Sequence, residues 1–151
     1  MDPQIVFETK NLKRYKFPTH INDLVIDRTQ ASYSEVFMVE VEPGKSVHHH
    51  KHDDTEQVFY IIKGAGILLC GEEKKELLIK PGDVIRIPVS FYHSIRNDHD
   101  TNLMYLSVDC FGSGSPDEAS WDEHVRVMCE TRGWDYESVV TSGPEPSRSE
   151  P

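Results

Sequence analysis

The sequence predicts an all-β barrel with a short C-terminal helix, and three observations carry that expectation. Short runs of β-type residues recur at even spacing, separated by Gly, Pro or charged turns. No helical pattern interrupts them, which argues for a sandwich or barrel over parallel βαβ units. The chain then changes character after Phe111, where a Gly/Ser connector precedes a stretch with helical periodicity.

Residues 1–34 read as an N-terminal arm with strands that packs on the barrel, and residues 35–111 as the barrel core. Within the core, Glu35 to Glu42 (EVFMVEVE) alternates along a strand and stops at the Pro43-Gly44 turn. Val58 to Ile62 is an apolar strand ended by Lys63-Gly64. Strands follow at Gly66–Cys70, Glu76–Ile79, Val84–Pro88, His93–Asn97 and Leu103–Asp109, with Pro81-Gly82-Asp83 and Asn97-Asp98-His99-Asp100 as turns. The run Glu72-Glu73-Lys74-Lys75-Glu76 reads as a solvated hairpin tip. Residues 112–141 hold the connector and one helix. Ser120 with Glu123 has capping-box spacing, and Trp121, His124, Val125 and Met128 recur at helical intervals up to Gly133, which predicts a helix from about Trp121 to Thr131. Residues 142–151, rich in Ser, Pro and Glu, are expected to be disordered.

A chain of 151 residues suffices for one domain with its own core. No apolar run is long enough to cross a bilayer, and the N-terminus lacks signal-peptide features, so a cytoplasmic protein without membrane contact is expected. The cysteines Cys70, Cys110 and Cys129 are odd in number and form no Cys-x-x-Cys pair, which argues for a reducing compartment and against a thiolate zinc site. A net charge of -10 excludes nucleic acid as a natural partner, because phosphate binding needs a basic face.

The chemistry concentrates in histidines. His50 and His52 lie two residues apart, and on an extended strand such residues project from one face. Both imidazoles can then reach one cation about 2 Å away. Gln57 follows, and His93 supplies a third imidazole after a strand and a tight turn.

These residues resemble the cupin superfamily. Its first motif, Gly-x5-His-x-His-x3-4-Glu-x6-Gly, maps onto Gly44, His50, His52, Gln57 and Gly64. Its second, Gly-x5-Pro-x-Gly-x2-His-x3-Asn, maps onto Gly82, Pro88, Ser90, His93 and Asn97. Ser90 stands in place of a turn glycine, and Gln57 in place of a metal-binding glutamate. The resemblance covers roughly residues 35 to 110 and implies a double-stranded β-helix, or jelly-roll barrel, holding one divalent transition metal (Fe, Ni, Zn, Mn or Cu) through His50, His52, Gln57 and His93. Glu56 is the alternative fourth ligand, but on a regular strand it faces away from Gln57. Some cupins that linearise unsaturated uronates also use glutamine in the metal shell. Asp109-Cys110-Phe111, with Pro116 following, resembles the barrel-mouth stretch of those relatives, which makes Asp109 the candidate acid/base. The arginine that follows in that pattern is missing, since Asp117 and Glu118 come next and no Arg occurs until Arg126.

Three neutral imidazoles and a neutral amide leave the 2+ charge of an ion uncompensated. Such a centre favours anionic ligands and Lewis-acid chemistry over redox cycling. The expected function is therefore isomerisation, elimination or ring opening of a small carboxylate or sugar-acid-like molecule. A metal-dependent dioxygenase and a non-catalytic binding module are the alternatives. Phe59, Ile61 and Phe111 are candidate pocket walls, and Tyr60 and Tyr105 belong to either the pocket or an interface. His48 shares the face of His50 on a regular strand and either lines the pocket mouth or is solvated, the second being favoured; His49 reads as pointing away, and His20, His99 and His124 as surface or packing residues. Trp121 and Trp134, with Phe111, read as packing aromatics for the C-terminal segment. The resemblance further implies a homodimer.

Overall fold

The computed structural model describes residues 2–112 and 116–141. The strands are β1 (Lys13–Lys16), β2 (Ile21–Ile26), β3 (Ser34–Val41), β4 (Thr55–Lys63), β5 (Gly66–Cys70), β6 (Lys75–Ile79), β7 (Val84–Ile87), β8 (His93–Arg96), β9 (Leu103–Phe111) and β10 (Val140–Thr141). They form a seven-stranded sheet in the order β10-β1-β2-β3-β9-β4-β7 and a three-stranded sheet in the order β6-β5-β8. All the ladders are antiparallel. Bridges Ser46↔Arg96 and His50↔His93 run the segment after β3 alongside β8, extending the smaller sheet. This is the double-stranded β-helix expected from the sequence.

Strand alternation builds the interior. Phe37, Val39 and Val41 of β3, Phe59 and Ile61 of β4, and Leu103 and Tyr105 of β9 are all buried and converge between the sheets. Each strand adds inward residues at a period of two, so register fixes what faces what. Across β3, β9 and β4 the register aligns Val39 with Tyr105 and Ile61, then Phe37 with Ser107 and Phe59, then Glu35 with Asp109 and Gln57. The interior is thus apolar at one end and polar at the other. The functional cluster sits at the polar end.

The turns hold this register. Gly64 has a φ of +77°, and a Cβ there would lie 2.3 Å from the Asn102 carbonyl oxygen, so no larger residue fits. Asn97 is fully buried and donates to the carbonyls of Val41 and Thr101 while accepting from the His99 backbone N–H. Ser90, at the position of a turn glycine, adopts a φ of 60°. Its N–H donates to the His52 carbonyl at 2.7 Å, fastening the segment after β7 to the histidine loop.

The helix α1 runs from Trp121 to Arg132, one residue past the expected end. Ser120 caps it by accepting from the Glu123 N–H, and Gly133 ends it in the left-handed conformation. Trp121, Val125 and Cys129 form its buried stripe. Trp121 lies 4.4 Å from Phe37 between ring centroids and meets Tyr15 edge-on at 6.1 Å, which fixes the helix against the larger sheet. Strands were expected within residues 1–34 without bounds, and β1 and β2 are those strands; β10, a 3-10 turn at Arg28–Gln30 and the short helix α2 (Tyr136–Val139) were not anticipated. Strand β1 reads KRYK and β10 only VT, too short and too charged for alternation to register. Buried Arg14 nonetheless pairs with buried Asp23 at 2.9 Å, tying β1 to β2. Residues 113–115 of the connector and the stretch 142–151, expected to be disordered, lie outside the described residues. No helix among the described residues is long and apolar enough to cross a membrane.

Candidate metal centre

His50, His52 and His93 converge, with one ligating nitrogen of each within 4.8 Å of the others. Backbone pairing brings them together: the His50 N–H donates to the His93 carbonyl at 3.0 Å and the His93 N–H to the His50 carbonyl at 2.8 Å. Side-chain tautomers are set locally. The Nδ1–H of His50 donates to the His48 carbonyl at 2.7 Å, and that of His93 to the Phe91 carbonyl at 2.9 Å. Their Nε2 lone pairs are thereby turned inward, the arrangement that ligating imidazoles use. The Nε2 atoms of His50 and His52 stand 3.1 Å apart, compatible with two ligands about 2.1 Å from one ion. Burial, followed by the charge of neighbouring imidazoles, lowers the pKa of His52 to about 3. Burial likewise lowers His93 to about 4 and depresses His50. All three are neutral near pH 7, as metal binding requires.

Gln57 lines the same cavity as the three histidines. Its Nε2 donates to Asp109 Oδ1 at 2.8 Å, leaving Oε1 buried without a partner among the described residues. A buried amide oxygen with no donor costs about 1–3 kcal/mol unless something else satisfies it. A cation held with the three imidazoles is such a partner, so the residues present fit one divalent ion. Glu56 points outward and pairs with Arg86 at 2.8 Å, so it does not reach the cluster. Gln57→Glu is expected to tighten zinc binding, because a carboxylate compensates charge where an amide does not. Competition titration with a chromophoric chelator checks this; weaker binding than wild type would contradict it.

The cluster opens into a cavity of about 500 Å³. Phe59 and Phe111 line it, as does Tyr105, whose ring lies 5.0 Å from Phe59. Ile61 does not; it is fully buried in the apolar half of the barrel, two residues beyond Phe59 on the same face. Tyr60 lies on the outside. His48, expected to be solvated, instead stacks on His50 at 4.6 Å and forms part of the wall. It alternates with His50 on one face, a signal that was legible. His20 and His124 also reach the cavity rather than only the surface. His49 does point away, toward the Gly71 carbonyl and the Tyr92 ring.

Asp109 lies on the wall beside Gln57, opposite Glu35 across the β3–β9 ladder. Burial first, and the Glu35 charge second, push its pKa well above the usual carboxylate value. Glu35 is gripped by Arg28 through two hydrogen bonds of 2.9 Å, while Arg28 also donates to the Glu118 carbonyl and lies over the Phe111 ring. Two arginines from outside the core motifs line the cavity, Arg28 from the N-terminal region and Arg132 from the end of α1. Helix α1 adds Trp121, His124 and Met128 to the wall.

Comparison with known proteins agrees with this geometry. A family model described as a cupin domain matches residues 37–109. An oxalate-binding protein of Thermotoga maritima is 38% identical over 66 residues, 44% of this chain and 53% of that protein. An uncharacterised protein of Methanocaldococcus jannaschii is 39% identical over 57 residues, 38% of this chain and 44% of that protein. The chain therefore spans about half the length of the curated relatives it matches. Among solved structures, a predicted oxalate decarboxylase from Thermotoga maritima superposes with a TM-score of 0.62 at 22% identity, over 71% of this chain and 99% of that one.

Proposed function

Residues 37–109 match a cupin domain, and from that premise we propose that the chain is a metal-dependent enzyme acting on a small carboxylate-bearing molecule by isomerisation, elimination or ring opening. One observation carries the reading: Gln57 Oε1, buried without a partner among the described residues, lines one cavity with three converging imidazoles. A shell of His50, His52, His93 and Gln57 holds a divalent ion without charge neutralisation from its ligands, and the ion supplies Lewis acidity when bound. The rest falls to the chain's own side chains. Asp109 accepts from Gln57 through Oδ1 and shares a hydrogen bond with Glu35, and on this reading its carboxyl takes or gives a proton at the ligand. Gln57 is fixed by the same bond, so the acid/base group and the metal ligand orient each other. Phe59, Phe111 and Tyr105 exclude water from this end of the cavity. The name of the 38% identical relative, an oxalate-binding protein, supports a carboxylate as ligand.

The test is a panel of hydroxy-acids and unsaturated sugar acids incubated anaerobically with chelator-stripped and zinc- or nickel-reloaded protein. Turnover is expected only after reloading and without oxygen. Turnover in stripped protein ends the metal reading, and strict oxygen dependence would replace it with a dioxygenase.

A further inference from the structure

The cavity holds two arginines in opposite electrostatic situations. Arg28 is paired, donating from Nε and Nη2 to the Glu35 carboxylate and from Nη1 to the Glu118 carbonyl. Arg132 has no carboxylate within ion-pair distance among the described residues. Its guanidinium instead meets an imidazole, donating from Nη2 to Nε2 of His48, and lies 5.3 Å from the Trp134 ring centroid. That bond sets the His48 proton on Nδ1, a buried atom without an acceptor. Arg132 is an exposed cation that lines the cavity beside a row of rings, and with no acid paired to it among the described residues it is open to an anionic ligand. The row leads inward, since His48 stacks on His50. An anion at Arg132 is therefore one ring away from the metal cluster.

The far wall has the opposite character. Asp109 and Glu35 offer acceptors there. Two further lining residues carry buried, partnerless polar atoms, the acceptor Asn22 Oδ1 and the donor Trp121 Nε1. Such groups suit hydroxyls, which both donate and accept.

Resting on the carboxylate reading of the proposed function, we propose that Arg132, positioned by His48, docks the carboxylate of a polyhydroxy acid whose hydroxyl-bearing chain extends past the metal cluster toward Asp109. A single guanidinium matches the single charge of a carboxylate better than the double charge of a phosphate. This subsite lies on α1, outside the residues 37–109 matched by the family model.

Calorimetric titration tests it, with D-gluconate, sorbitol and sorbitol 6-phosphate as probes on wild type, Arg132→Gln and Arg132→Lys, each metal-free and zinc-loaded. Gluconate affinity should fall roughly tenfold or more in Arg132→Gln and recover in part in Arg132→Lys, as expected for a charged hydrogen bond. Sorbitol binding and zinc affinity should not change. Equal gluconate affinity in wild type and Arg132→Gln would overturn the proposal, as would gluconate failing to bind wild type at all, or Arg132 dependence confined to the phosphate. Gluconate bound through Arg132 in protein that takes up no zinc would instead sink the metal reading and leave this subsite standing.

Discussion

Asp109→Asn should retain its metal and lose turnover by about 10²- to 10⁴-fold, the range associated with removing a positioned acid/base group. Asparagine keeps an oxygen at the position that accepts from Gln57 Nε2, so the amide that faces the imidazoles stays oriented. It cannot exchange a proton as a carboxyl does. Metal content by elemental analysis and turnover on the substrate found in the panel are measured on the same preparation. Loss of both together would make Asp109 a support for Gln57 rather than a proton carrier. Turnover within about tenfold of wild type would remove it from the chemistry.

Arg28→Met is expected to destabilise the fold by about 3–5 kcal/mol, read as a shift in the denaturant midpoint. The Glu35 side chain is 1% exposed and accepts two hydrogen bonds of 2.9 Å from Arg28. Removing the guanidinium strands that carboxylate beside Asp109, and an uncompensated buried charge costs far more than the ion pair gains. The double substitution Arg28→Met with Glu35→Met should recover most of the loss, because apolar side chains of similar volume replace such pairs at little cost. A single variant within about 1 kcal/mol of wild type would mean that the pair is not held as described.

Much of this architecture was legible because the barrel obeys a period of two. Alternation along β3, β4 and β9 shows which residues face inward, and Gly64, Gly82 and Asn97 mark turns whose backbone geometry tolerates little else. The same alternation singled out Gln57 over Glu56, and the structure sends Glu56 outward to Arg86. It also places Glu35 in phase with Phe37 and Val39, a charged residue set indoors, and His48 in phase with His50, where the pocket-mouth alternative holds over the solvated one. Other wall residues left no local trace. Arg28 opens a short 3-10 turn and Arg132 ends a helix; each meets its partner only through tertiary packing, 7 residues away for Glu35 and 84 for His48. Ile61 shows the converse error. Alternation places it inward correctly, but says nothing of depth, and it lies in the apolar half of the barrel rather than at the cavity.

The central claim is that His50, His52, Gln57 and His93 share one ion. Native mass spectrometry of chelator-stripped protein titrated with zinc addresses it without any substrate. Wild type should take up one ion per chain, and His52→Ala and His93→Ala should bind it at least about a hundredfold more weakly while keeping the folded circular dichroism spectrum. A wild-type protein that takes up no zinc, nickel, manganese or iron, or histidine variants that bind as tightly as wild type, would contradict the account.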